Sequence, residues 1–156
     1  MDKERVAFIL EYFGKIDREI QFNNREISEI EETYYSPLQA VKSDGLPHGK
    51  GGFHSSTETT ALNVPESASD WLDELRRQND RLRELKREIW RELSAIDHTH
   101  KVVLFDFYIK GFQWVRIAEQ LHYSTRQCQN LRDSGLESLA KRFAKNGTIA
   151  KFSYPA

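Results

Sequence analysis

Between Ser124 and Arg132 the chain carries seven polar side chains, Ser124, Thr125, Arg126, Gln127, Gln129, Asn130 and Arg132, and no acid before Asp133. Their hydroxyl, amide and guanidinium groups donate to and accept from base edges and phosphate oxygens, which is the chemistry needed to read double-stranded DNA. The competing reading of the same residues is a solvated polar face on a small helical bundle. Other reactive combinations lack support. The run Gly45-Leu46-Pro47-His48-Gly49-Lys50-Gly51 is one residue short of a phosphate-binding loop and has no hydroxyl after its lysine. His48 and His54, with Asp44 and Glu58, have metal-ligating side chains but no helix to fix their geometry. His98 and His100 flank Thr99 at a helix start, where capping or exposure accounts for them. Cys128, the only cysteine, falls on an inner helix face and reads as a small core residue, not a nucleophile. No Ser/His/Asp or Cys/His arrangement has a supporting context, so neither catalysis nor a cofactor or metal is expected.

Three short helices must position the polar run. Val102, Val103, Leu104, Phe105, Phe107, Tyr108 and Ile109 form a dense apolar helix that Lys110-Gly111 ends. A second helix turns Trp114, Ile117, Ala118 and Leu121 inward. After a break at His122-Tyr123, Ser124 caps a third helix bearing Cys128, Leu131, Gly135, Leu136, Leu139 and Phe143, which Asn146-Gly147 closes. Small Ala118 stands where two helices of a helix-turn-helix cross, and Ile117, Leu121, Tyr123, Cys128 and Leu131 keep the apolar spacing that motif needs. The sharp turn favours a left-handed residue, and His122 occupies that position; the alternative is a wider turn in which the two helices cross at a different angle.

The run from Val103 through Tyr108-Ile109-Lys110-Gly111-Phe112-Gln113-Trp114-Val115-Arg116-Ile117-Ala118-Glu119-Gln120-Leu121 to Ser124, Cys128, Leu131 and Gly135-Leu136-Glu137-Ser138-Leu139 resembles sigma-70 region 4. The whole chain is similar to the small phage and prophage transcriptional regulators of Gram-positive bacteria, the RinA/ArpU-like group. Ser43-Asp44-Gly45-Leu46-Pro47, Gly49 and Gly51 add to that likeness. The resemblance implies a promoter-binding regulator, often an activator of late phage genes, acting with RNA polymerase. By position it implies that Thr125, Arg126 and Asn130 reach base edges and that Gln127 and Gln129 lie nearer phosphates. Gln127 and Gln129 stand where region 4 often has arginines, and His122 where its turn often has glycine. No counterpart of the promoter-melting region 2 is visible.

The front of the chain reads as a helical hairpin. Asp2–Tyr35 places Val6, Ile9, Phe13, Ile16, Ile20, Ile27, Ile30 and Tyr34 at alternating steps of three and four, with a vacancy at Asn23. Ser67–Ile96 repeats the pattern with Trp71/Leu72, Leu75, Leu82, Leu85, Ile89, Leu93 and Ile96, and with Gln78 and Asn79 in its gap. Ser67 or Ser69 is the expected cap. Prolines 37, 47 and 65 and four glycines mark 36–66 as a long loop between the two helices. Folding about that loop sets Asn23 level with Gln78/Asn79. The alternative is coincident polar positions exposed to solvent. A buried amide pair fixes register, because a slip leaves it unpaired in an apolar seam.

Composition fits this layout. The chain has 156 residues, 38% hydrophobic and 30% charged, lean in core formers and suited to helices with one buried stripe. Residues 1–97 hold 14 basic against 20 acidic side chains, whereas 98–146 hold 8 against 4. The expectation is an all-α protein: a long antiparallel, coiled-coil-like hairpin over 1–97, a three-helix helix-turn-helix module over 98–146 and a tail over 147–156. Its expected partners are double-stranded DNA, RNA polymerase and a second copy joined through the N-terminal helices; the rival readings are an adaptor of RNA polymerase that never touches DNA and a packaging accessory that docks DNA for another subunit. The lack of any long apolar run and of a secretory leader pattern sets the expectation of a cytoplasmic protein.

Overall fold

Helix α1 (Lys3–Ile30) starts where Asp2 accepts a 2.8 Å hydrogen bond from the Arg5 backbone N–H and ends in a wide π-helical turn, Glu31–Tyr35. A computed structural model describes residues 1–35 and 64–155. Most of the long connection therefore lies outside the described residues, as do His48, His54, Asp44, Glu58 and the run 45–51. The remaining elements are α2 (Glu66–Ala95), α3 (His98–Leu104) running into a π-helical turn (Phe105–Ile109), α4 (Trp114–Leu121), α5 (Thr125–Lys145) and α6 (Gly147–Lys151). No strand occurs among the described residues, and the protein is all-α. No helix among them is long and apolar enough to cross a membrane.

Two compact units form. One comprises Met1–Asp17 and Arg81–Ala156, the other Arg18–Asp80. They do not follow the expected boundary at residue 97. The first half of α1 and the second half of α2 pack with the C-terminal helices, because aromatic rings bind them there. Trp90 lies parallel to Phe13 at 6.4 Å between centroids and edge-on to Phe105 at 5.8 Å. Gly14 faces the Ile109 backbone, where a Cβ would stand in ordinary contact, 3.4 Å from the carbonyl oxygen. In this first unit Val6, Ile9, Leu10, Ile16, Leu85, Ile89, Leu93, Leu104, Leu139, Phe143 and Ile149 are buried. Gly135 marks a close approach of α3 to α5. A Cβ there would lie 2.9 Å from Leu104 Cδ1 and 3.2 Å from His100 Cβ, so a side chain would push α3 and α5 apart.

Of residues 147–156, read from sequence as a tail, the described ones, 147–155, belong to this unit. Asn146 ends α5 and caps α6, its Oδ1 accepting from the Ile149 backbone N–H at 3.2 Å. The chain then lays Phe152 and Tyr154 on α1. The Tyr154 ring meets Phe8 at 6.1 Å and Tyr12 at 5.5 Å, with the Arg5 guanidinium 4.7 Å from its centroid. Tyr154 donates its hydroxyl to the Ile149 carbonyl at 3.1 Å, and burial pushes its phenol well above the ordinary range.

The second unit holds the amide register. Asn23 Nδ2 donates to Asn79 Oδ1 at 2.9 Å and to Gln78 Oε1 at 3.5 Å, while Asn79 Nδ2 donates to Asn24 Oδ1 at 2.9 Å. The antiparallel alignment about Asn23 is thus present, with Asn79 its principal partner. Both amides are buried, as are Leu72 and Leu75. Two details differ from expectation. Helix α2 begins at Glu66, where Pro65 accepts from the Ala68 and Ser69 N–H groups, so neither Ser67 nor Ser69 precedes the helix as a cap. Trp71 is exposed beside buried Leu72, because only one of two adjacent helical positions faces the seam.

Candidate nucleic-acid interface

The turn between α4 and α5 is fixed at three points. His122 ends α4 in the left-handed region, at φ 58° and ψ 38°, the only non-glycine residue with positive φ among those described. The Ala118 carbonyl accepts from the Tyr123 N–H at 3.1 Å, closing the last turn of α4. Ser124 then opens α5 in extended conformation, its Oγ accepting from the Gln127 N–H at 3.0 Å. The expected strain at His122 is therefore present. Replacing His122 with glycine is expected to raise stability by about 1 kcal/mol, read as a higher midpoint of thermal unfolding.

Beneath the turn the two helices share one cluster. Val103, Ile117, Ala118 and Cys128 are buried together, with Phe107, Phe112, Trp114, Leu121 and Leu131 packed against them. Ala118 and Cys128 thus mark a close approach of α4 to α5, as the spacing predicts. Burial raises the Cys128 thiol above its ordinary value, keeping it neutral and in the core. Tyr123 differs from expectation. It is exposed, because the left-handed His122 turns the chain outward before α5 begins.

This core decides which polar residues of α5 face out. Ser124, Thr125, Arg126, Gln127 and Asn130 are exposed. Helical geometry sets Arg126 and Asn130 one turn apart, roughly opposite Cys128 and Leu131. Arg126 makes no ion pair among the described residues. Gln129 and Arg132 stand apart from these five, being only half exposed. The Arg132 guanidinium lies 5.2 Å from the Trp114 ring centroid, and its Nε donates to Asp133 Oδ1 at 3.1 Å. It braces α5 against the first turn of α4, a role its position in the sequence did not disclose.

A second group of cations lies on the approach to α4. The π-helical turn closes with the Lys110 N–H donating to the Phe105 carbonyl at 3.0 Å, and Gly111 follows at φ 72°. This brings Phe112 between two basic residues in the chain. The Arg116 guanidinium lies 3.7 Å from the Phe112 centroid and Lys110 Nζ 5.4 Å from it. Lys110 Nζ also stands 4.0 Å from Asp106. Burial raises the Asp106 carboxyl above its ordinary value, against the opposing charges of Lys110 and Arg116. In the sequence both cations add to the basic charge of 98–146, but nothing there gives either a place in the site.

Comparison with protein-family models, curated proteins and solved structures finds no match to this chain.

Proposed function

We propose that the protein is a sequence-specific regulator of transcription that binds double-stranded DNA, in the manner of phage and prophage late-gene activators working at a promoter with RNA polymerase. The observation that carries this reading is the first part of α5. Thr125, Arg126 and Asn130 stand exposed on a helix whose start is fixed by the Ser124 cap and the His122 turn. A helix held in this way is suited to entering a major groove, where arginine and amide side chains discriminate base pairs. A homodimer through the N-terminal helices would present two such faces to a two-fold site.

Selection of bound sequences from random duplexes tests the reading. One preferred sequence is expected to emerge, and Arg126→Ala is expected to weaken binding to it about tenfold, or about 1.4 kcal/mol, while relaxing one base preference. Failure of the wild-type protein to enrich any duplex favours an adaptor that docks on RNA polymerase without touching DNA.

A further inference from the structure

We propose that Lys110 and Arg116, gathered about the Phe112 ring, form a docking point for the sugar–phosphate backbone of double-stranded DNA, separate from the base-facing residues of α5. This inference rests on the DNA-binding reading above and adds residues to its interface. Both cations are exposed, and Arg116 has no ion pair among the described residues. At 3.7 Å from the ring centroid, the Arg116 guanidinium is held by the ring, and its N–H groups remain available for oxygen acceptors. Holding the group in place lowers the ordering cost that a long free side chain meets on binding. Among the described residues Lys110 pairs only with Asp106, at 4.0 Å and buried, so the exposed charge of the cluster is positive.

Position agrees with charge. Arg116 belongs to the first turn of α4, and the Arg132–Trp114 pairing sets that turn beside α5. When a second helix lies in the groove, the first crosses the backbone. A lysine and an arginine there meet phosphates, which carry charge but no sequence information.

The test measures affinity of the full chain for its preferred duplex and for a scrambled one, across a salt series from about 50 to 200 mM. Each phosphate that the protein ceases to neutralise lowers the slope of log K against log salt by about 0.9, so Lys110→Gln with Arg116→Gln is expected to lower it by about 1.8. The preference for one duplex over the other should stay as in wild type. Lys15→Gln, which removes an exposed charge on α1, should leave the slope unchanged, and Arg116→Lys should retain it. Arg116→Gln alone, at an exposed side chain, should lower it by about 0.9 with helicity and melting unaltered. An unchanged slope in the double variant overturns the docking point while leaving DNA binding by α5 intact. Loss of sequence preference in that variant also overturns it, since the residues would then be reading bases. Absence of duplex binding by the wild-type protein overturns both this inference and the reading beneath it.

Discussion

Asn146→Ala is expected to lower stability by about 3 kcal/mol, combining the loss of a helix cap with the loss of two charge-assisted hydrogen bonds. Asn146 Nδ2 donates to Glu88 Oε2 at 2.8 Å and to Glu92 Oε1 at 3.0 Å, while its Oδ1 caps α6. Arg91 pairs with Glu88, and Arg142 Nε with Glu92 at 2.7 Å. One amide thus joins two carboxylates of α2 to the end of α5. Asn146→Asp separates the two roles. Aspartate caps a helix as well as asparagine does, but it would bring a third carboxylate against the other two. A larger loss for Asn146→Asp than for Asn146→Ala at neutral pH, measured by chemical denaturation, is the expected result. Equal stability of the Asn146→Asp variant and the wild-type protein would mean that capping alone matters.

The pH dependence of this network has a definite sign. Burial disfavours the charged Glu92, but hydrogen bonds from Asn146 and Arg142, with the charges of Arg142 and Arg91, outweigh it and hold the carboxyl below its ordinary value of 4.5. A lowered carboxyl adds stability that is complete above the unfolded-state value and disappears as pH falls through the folded-state value.

The second large effect concerns the amide register. Asn23→Leu removes the donor to Asn79 Oδ1 and leaves a buried amide oxygen unpartnered, at a cost of about 2 kcal/mol. Replacing Asn23 and Asn79 together by leucine is expected to do the opposite. It fills the seam with apolar atoms, raises the thermal midpoint and removes the feature that distinguishes one register from its neighbours. Sedimentation should then show a broader range of oligomers than in wild type. A double variant that melts below the wild-type protein would show that the amides contribute net stability.

Both the α4–α5 turn and the hairpin alignment could be read from the residues because their determinants are near in sequence or periodic along it. Ala118, Ser124 and the glycine-like position of His122 lie within one short stretch, and Asn23 and Asn79 interrupt otherwise regular stripes. The Asn146 network was not legible. Its partners lie more than fifty residues away, and nothing in the local pattern distinguishes a helix-ending asparagine from one that also bridges carboxylates. The same holds for Phe152 and Tyr154, whose rings find α1 only after the chain has folded. Lys110 and Arg116 read as undifferentiated charge because their relation to Phe112 depends on the turn made at Gly111.

Helix α5 is one continuous rod of 21 residues whose start is exposed and whose later turns carry Gly135, Leu136, Leu139 and Phe143 into the core. The side chains at 125, 126, 127 and 130 take no part in that packing, and the cap that starts the helix belongs to Ser124. Exchange of those four residues therefore leaves the determinants of folding untouched. If the proposed reading of DNA holds, a lineage carrying this helix is free to drift from one preferred sequence to another by single substitutions, without passing through intermediates that fail to fold.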